Sequence, residues 1–70
     1  MSDLVKSTRE GGVLCLTLAR PYKKNALTGA MYLRLIEAFD EADRDAAVRA
    51  IVIHGEGGNF TAGNDIGDFL

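Results

Sequence analysis

The 70-residue sequence has one cysteine, one proline and no tryptophan. A single thiol, Cys15, excludes an internal disulfide and a cysteine-based zinc site, because each needs several thiols. No stretch approaches the ~20 consecutive apolar residues of a membrane-spanning helix. The net charge is −2, without the concentrated basic surface that is typical of nucleic-acid-binding proteins. We therefore predict a cytoplasmic protein that binds neither a membrane nor nucleic acid.

The chain is long enough for one small domain only, since domains rarely fall below about 50 residues. Cys15 lies inside the apolar run Val13–Leu18, and we interpret it as a small core residue rather than a nucleophile. This run is typical of a strand covered on both faces. A half-polar strand over residues 4–9 precedes it. Gly11 and Gly12 lie between the two strands, and both are free to take positive φ. A β-hairpin is therefore predicted.

A helix from about residue 28 to about residue 45 follows, with Thr28 as its N-cap. Apolar residues at helical spacing form one stripe, which is expected to pack against a sheet: Met31, Leu35, Ala38, Phe39 and Ala42. Residues 50–55 form a short segment with three consecutive β-branched residues, which predicts a third strand. A helical crossover between strands indicates a parallel pairing of Val13–Leu18 with residues 50–54. The predicted fold class is α/β, beginning β-β-α-β.

The segment after the third strand is rich in glycine and leaves the end of a parallel strand, where α/β proteins bind ligands. Gly58 and Gly63 have the glycine spacing of a P-loop. However, Asn64 and Asp65 replace the lysine and hydroxyl residue that bind phosphate and magnesium. A dinucleotide fingerprint beginning at Gly55 fails as well, because its last glycine position is Phe60.

The remaining hypothesis concerns a main-chain hydrogen-bond donor. Gly63 permits a sharp turn that leaves the N–H of Asn64 free, next to a short helix that begins near Asp65. Such an N–H is one half of an oxyanion hole, which stabilises negative charge on a carbonyl oxygen. The alternative is an ordinary helix-capping turn with Asp65 as the cap. Spacing alone leaves both open.

Four separated segments resemble the crotonase superfamily, also called the enoyl-CoA hydratase/isomerase family, in its order and spacing. They are LTLARPYKKNALT at residues 16–28, the long helix, RAIVIHG at 49–55 and FTAGNDI at 60–66. The similarity runs from about Val13 to Leu70. It implies that residues 1–70 are the N-terminal part of a single crotonase-like (ClpP/crotonase) domain, the incomplete start of a ββα superhelix.

The resemblance also implies a function. Family members bind acyl-CoA thioesters, as in fatty acid metabolism, and stabilise an enolate formed at the thioester carbonyl. The first oxyanion donor corresponds to the N–H of Asn64. Residues that correspond to the CoA-binding segments, mostly through their backbone, are Lys24, Ala26, Leu27, Ala62, Gly63, Asn64, Asp65 and Ile66. Lys23 and Lys24 form the one basic cluster and suit CoA phosphates. No metal or redox cofactor is implied, and a homotrimer or hexamer is expected.

In the family, the second oxyanion donor and the acid/base carboxylates lie beyond the position of Leu70. We therefore expect the 70-residue chain alone to give no turnover. Glu56 and Asp68 are interpreted as solvated, and His54 as a hydrogen-bonded imidazole at a strand end. The form A-G-N-D at Asn64 is slightly more similar to the Δ3,Δ2-enoyl-CoA isomerases than to the hydratases. Alternatives are a non-catalytic acyl-CoA binder and a small α/β interaction module.

Overall fold

The computed structural model describes residues 4–69. Strand β1 (Val5–Glu10) and strand β2 (Val13–Leu18) form an antiparallel hairpin, in which Glu10 pairs with Val13. Strand β3 (Ala50–Gly55) lies parallel to β2, with Val13 opposite Ala50 and Leu18 opposite Gly55. The predicted hairpin and parallel pairing are confirmed. Only Gly11 of the two turn glycines adopts a positive φ, at 59°.

Helix α1 (Gly29–Asp43) connects β2 to β3. Its N-cap is Thr28, as predicted, and the Thr28 hydroxyl accepts a hydrogen bond from the Met31 N–H at 3.1 Å. The helix ends at Asp43, two residues before the predicted end, and Arg44 forms its C-cap. A second, short helix, α2 (Ile66–Phe69), ends the described chain. No helix within residues 4–69 is long and apolar enough to cross a bilayer.

The core lies between α1 and one face of the sheet. Val5, Leu18 and Met31 are buried together, and Leu27 and Ile53 pack against them. The prediction for Phe39 is wrong: it is 43% exposed. Phe39 lines an open groove together with Ile36 and Ile51, so one side of its ring is left uncovered within residues 4–69.

The prediction that β2 is covered on both faces is also wrong for the described residues. Side chains alternate between the faces of a strand, so Leu16 and Leu18 are buried against α1 while Cys15 lies on the opposite face. There Cys15 is half-buried and its neighbour on β3, Val52, is 47% exposed. Cys15 is therefore not a core residue in residues 4–69.

Gly55 ends β3 where a side chain would not fit. A Cβ atom at this position would lie 2.1 Å from the carbonyl oxygen of Asn59 and 2.4 Å from that of Phe60. Both are main-chain atoms, so the contact could not be relieved by a side-chain rotation. The absence of a side chain at Gly55 thus allows the chain to fold back directly after the strand.

Candidate functional site

Two loops leave the carboxyl ends of the adjacent parallel strands β2 and β3. Loop 1 comprises residues 19–28 and contains the 3₁₀ helix Pro21–Lys23. Loop 2 comprises residues 56–65 and begins with the 3₁₀ helix Glu56–Gly58. Because the carboxyl ends of parallel strands lie at one edge of the sheet, the two loops meet there.

The loops run side by side and are joined by main-chain hydrogen bonds. The Ala62 N–H donates to the Lys24 carbonyl at 3.0 Å. On either side of Asn64, the Leu27 N–H donates to the Gly63 carbonyl at 2.7 Å, and the Asp65 N–H donates to the Leu27 carbonyl at 2.9 Å. Asn64 and Leu27 therefore form a parallel bridge, which brings the two predicted CoA-binding segments together.

The main-chain N–H of Asn64 differs from those of its neighbours. The N–H groups of Ala62 and Asp65 are used between the loops, and that of Gly63 donates to the Thr61 hydroxyl at 3.1 Å. Within residues 4–69, the Asn64 N–H has no hydrogen-bond acceptor, and Asn64 is exposed. Gly63 has a φ of 94°, a conformation that favours glycine. Asn64 thus offers one unused donor between two immobilised neighbours.

Asn25 is the buried centre of the two loops, at 0% exposure. Its side-chain oxygen accepts from the Arg20 N–H at 2.8 Å. Its amide nitrogen donates to the carbonyls of Glu56 at 2.8 Å and Asn59 at 2.7 Å. The φ of Asn25 is 57°, and asparagine tolerates this left-handed conformation better than most residues. One side chain therefore holds the start of loop 2 against loop 1.

Arg20 and Asp65 form the least exposed ion pair of the described chain. Their side chains are 12% and 22% exposed, and Arg20 Nη1 lies 2.7 Å from Asp65 Oδ2. The same nitrogen donates to the Ala26 carbonyl at 3.0 Å. The hydrogen bond from Arg20 lowers the pKa of Asp65 below its usual range, and the same bond raises the pKa of Arg20.

Asp65 is also a helix cap, which was the alternative hypothesis. Its Oδ1 accepts from the Asp68 N–H at 3.3 Å at the start of α2. This capping does not use the N–H of Asn64, so the two hypotheses are compatible in the structure.

Two contacts join α1 to the segment around Asn64. The Tyr32 hydroxyl donates to the side-chain oxygen of Asn64. The carboxylate of Asp68 accepts from the N–H of Gly29, the first residue of α1. The prediction that Asp68 is merely solvated is therefore wrong, because this carboxylate satisfies one of the free N–H groups at the start of the helix.

His54 and Glu56, the other polar residues considered in the sequence, lie in β3 and at the start of loop 2. His54 is hydrogen-bonded as predicted, with Nε2 2.8 Å from the Thr17 hydroxyl. Glu56 forms an exposed ion pair with Lys6 at 3.2 Å, a type of pair that contributes little to stability.

The predicted ligand-binding side chains differ in exposure. Lys23, Lys24 and Ile66 are exposed, and neither lysine side chain has an ion-pair or hydrogen-bond partner among residues 4–69. Leu27 instead packs against the core, and both its main-chain polar groups are used between the loops. Contact of these residues with CoA stays a prediction.

An open groove of about 740 Å³ lies between α1 and β3, lined by Ile36, Phe39 and Ile51 among others. It shares no residue with either loop and is thus separate from the Asn64 N–H. Residues 4–69 contain no group of three or more acidic, histidine or cysteine side chains placed to hold a metal ion.

Sequence reasoning missed the residues that hold the loops together. Arg20 was not selected, and the structure turns it inward to Asp65. Asn25 and Tyr32 were not selected, and Thr61, whose hydroxyl donates to the Asn25 carbonyl at 2.7 Å, was not selected either. The one indication in the sequence was Asn25 itself, a polar residue that directly precedes the apolar pair Ala26 and Leu27.

The ion pair predicts how stability depends on pH. The pKa of Asp65 in the folded protein is below its ordinary value of 3.8. A carboxyl group with a lowered pKa stabilises the folded state above its unfolded-state pKa, and this stabilisation is lost as the pH falls through the folded-state value. We expect the difference in unfolding free energy between the parent protein and Asp65→Asn to be constant at neutral pH and to shrink below pH 3.8. Denaturant unfolding at a series of pH values measures it, and a difference that does not change with pH would contradict the assignment.

Comparison with known proteins agrees with this architecture. The family model described as enoyl-CoA hydratase/isomerase matches residues 8–70. The chain is 35% identical over 68 residues, which is 97% of its length, to the 1,2-epoxyphenylacetyl-CoA isomerase of Escherichia coli K12, and covers 26% of that protein. It is 45% identical over 56 residues, 80% of its length, to the human mitochondrial Delta(3,5)-Delta(2,4)-dienoyl-CoA isomerase, and covers 17% of it.

Solved structures extend the comparison to the fold. Pseudomonas aeruginosa OdaA superposes with a TM-score of 0.92 at 55% identity over 99% of this chain and 28% of its own. An enoyl-CoA hydratase/carnithine racemase homologue from Magnetospirillum magneticum gives a TM-score of 0.94 at 50% identity, over 100% of this chain and 28% of its own.

The three-stranded sheet, the crossover helix and the paired loops define the start of a crotonase-type α/β fold. The chain belongs to the enoyl-CoA hydratase/isomerase family of the crotonase superfamily. It spans about a quarter of the length of most of the relatives described above.

Proposed function

We propose that the full-length protein carrying this segment acts on an acyl-CoA thioester, and that Asn64 donates its main-chain N–H to the thioester oxygen. The observation that supports the proposal is the pattern of main-chain donors in loop 2. Ala62, Gly63 and Asp65 each donate a main-chain hydrogen bond, whereas the Asn64 N–H donates none within residues 4–69. A donor that is already oriented and has no partner does not need to move or to break another hydrogen bond when negative charge develops on a nearby oxygen.

The chemistry follows from that donor. Removing a proton next to a thioester carbonyl, or adding water across the adjacent double bond, places negative charge on the carbonyl oxygen. Two N–H groups stabilise this enolate, one of them that of Asn64, and a carboxylate elsewhere in the protein moves the proton or activates the water. No metal or redox cofactor has a part in this proposal, since the enolate is stabilised by hydrogen bonds alone.

CoA binding is proposed at the outer surface of the paired loops. Lys23 and Lys24 place two cations there without internal partners among residues 4–69, as a phosphate-bearing ligand requires. The backbone of the paired segments lies beside them, in Lys24, Ala26, Leu27, Ala62, Gly63, Asp65 and Ile66. The names of relatives include both isomerases and hydratases, so both reactions belong to the proposal, in an assembly of three or six copies.

An activity assay tests the proposal directly. The full-length protein is incubated with enoyl-CoA thioesters, and hydration or isomerisation is followed by the change in absorbance of the conjugated thioester. We expect protein-dependent turnover that a boiled sample lacks. The 70-residue chain is the matched control and is expected to give none. Turnover by that chain, or no turnover and no acyl-CoA binding by the full-length protein, would contradict the proposal.

A further inference from the structure

Arg20 lies where the two loops are joined and contacts both of them. Its Nη1 donates to the Ala26 carbonyl in loop 1 at 3.0 Å and to the Asp65 carboxylate in loop 2 at 2.7 Å. Ala26 precedes Leu27, and Asp65 follows Asn64. One guanidinium nitrogen therefore links the residues that border the Leu27–Asn64 bridge.

We propose that Arg20 is a positioning residue for the Asn64 N–H and that it neutralises Asp65 beside the oxygen that becomes negative. This inference rests on the proposed function of Asn64. It adds a second role to the Arg20–Asp65 pair: the pair fixes the loops, and it also removes the electrostatic effect of a carboxylate one residue from the oxyanion donor.

The electrostatic part of the argument follows from the position of Asp65. A carboxylate near a developing oxyanion raises the energy of the transition state, because two like charges repel each other more strongly where water is partly excluded. Arg20 and Asp65 are largely shielded from solvent, so solvent screens the interaction between their charges only weakly. With Arg20 removed, the Asp65 carboxylate keeps its hydrogen bond from the Asp68 N–H but has no ion-pair partner within residues 4–69.

The surroundings of Arg20 keep its guanidinium at this position. Its main-chain N–H is bound by the Asn25 side chain, and the exposed ring of Tyr22 lies 5.8 Å from the guanidinium carbon. A planar guanidinium has a fixed donor geometry, whereas a lysine ammonium is a mobile point charge. Lysine at position 20 would therefore neutralise Asp65 but hold the loops less precisely.

The experiment compares kcat and KM for four variants of the full-length protein: Arg20→Met, Arg20→Lys, Asp65→Asn and the double variant Arg20→Met/Asp65→Asn. We expect Arg20→Met to lower kcat about 10- to 100-fold, with a smaller change in KM, since misplacement by about 1 Å can cost 10²-fold. The double variant should be faster than Arg20→Met, because it also removes the unopposed charge. Arg20→Lys should have a higher kcat than Arg20→Met, because lysine still neutralises Asp65. If Arg20→Met does not fold, Arg20→Lys can still be compared with the parent protein.

A matched control is available in β1. Arg9 and Asp45 form an ion pair of the same length, 2.7 Å, that is remote from both loops and more exposed. Arg9→Met should leave kcat unchanged. The inference is overturned if Arg9→Met lowers kcat as much as Arg20→Met, or if the double variant is no faster than Arg20→Met.

The proposed function can fail separately from this inference. Asn64→Pro is measured in the same series. If Asn64→Pro leaves kcat unchanged, the oxyanion role itself is wrong. If Asn64→Pro abolishes turnover while Arg20→Met stays within twofold of the parent, only the role of Arg20 is wrong.

Discussion

Asn64→Pro should lower kcat of the full-length protein by about 10²–10³-fold, the usual effect of removing one donor from an oxyanion hole. Proline has no main-chain N–H. The Asn64 N–H makes no hydrogen bond within residues 4–69, so proline removes the proposed donor without removing a main-chain hydrogen bond from this part of the chain. KM should change much less than kcat, because the lost interaction strengthens only as charge develops.

Asn64→Ala is the control, because it keeps the N–H and removes only the side chain. Both variants lose the hydrogen bond from Tyr32 to the Asn64 side chain, and Tyr32→Phe removes that bond from the other partner. We expect Asn64→Ala and Tyr32→Phe to retain most of kcat. Equal losses in Asn64→Pro and Asn64→Ala, with both variants folded, would show that the side chain rather than the main chain is responsible.

Asn25→Leu should produce the largest loss of stability among substitutions in the two loops. Leucine has a similar size but leaves three partly buried polar groups without the Asn25 side chain as partner: the Arg20 N–H and the carbonyls of Glu56 and Asn59. Each such group costs about 1–3 kcal/mol. The φ of 57° at this position adds about 1–2 kcal/mol for a residue other than glycine or asparagine. A decrease of about 3 kcal/mol or more in the unfolding free energy is expected.

Unfolding of the full-length protein by denaturant, at one fixed protein concentration, measures this decrease. The control is Asn59→Ala, since Asn59 is exposed and contributes its main-chain carbonyl to the same network. Asn59→Ala should change the unfolding free energy by less than about 0.5 kcal/mol. A similar small change for Asn25→Leu would mean that water replaces the three hydrogen bonds and that Asn25 is not the centre of the loops.

The regular elements were predictable because their causes are local. The apolar run Val13–Leu18 and the Thr28 cap are each determined by a few neighbouring residues, and the structure confirms both. The parallel order of β2 and β3 followed from the helix between them. The error at Phe39 has a simple origin: helical spacing places it on the apolar face, but spacing contains no information on which parts of that face are covered.

The predicted site was less complete for a physical reason. Segments 24–27 and 62–66 were identified from their resemblance to a family, and the structure places them in contact. The side chains that join them act across the sequence: Arg20 and Asp65 are 45 residues apart, and Asn25 and Glu56 are 31 apart. No periodicity or local motif relates such residues. The charge of Arg20, close to Lys23 and Lys24 in the sequence, gives no indication that its side chain turns inward to Asp65.

The hydrogen bonds around Asn64 have one property with an evolutionary consequence. Most of them connect residues 20–32 with residues 61–65, so the orientation of the Asn64 N–H is determined mainly by contacts between these two segments. Acid and base groups contributed from elsewhere can then diverge without disturbing it. A graft of residues 20–65 between members of the family should therefore carry the proposed donor together with the hydrogen bonds that orient it.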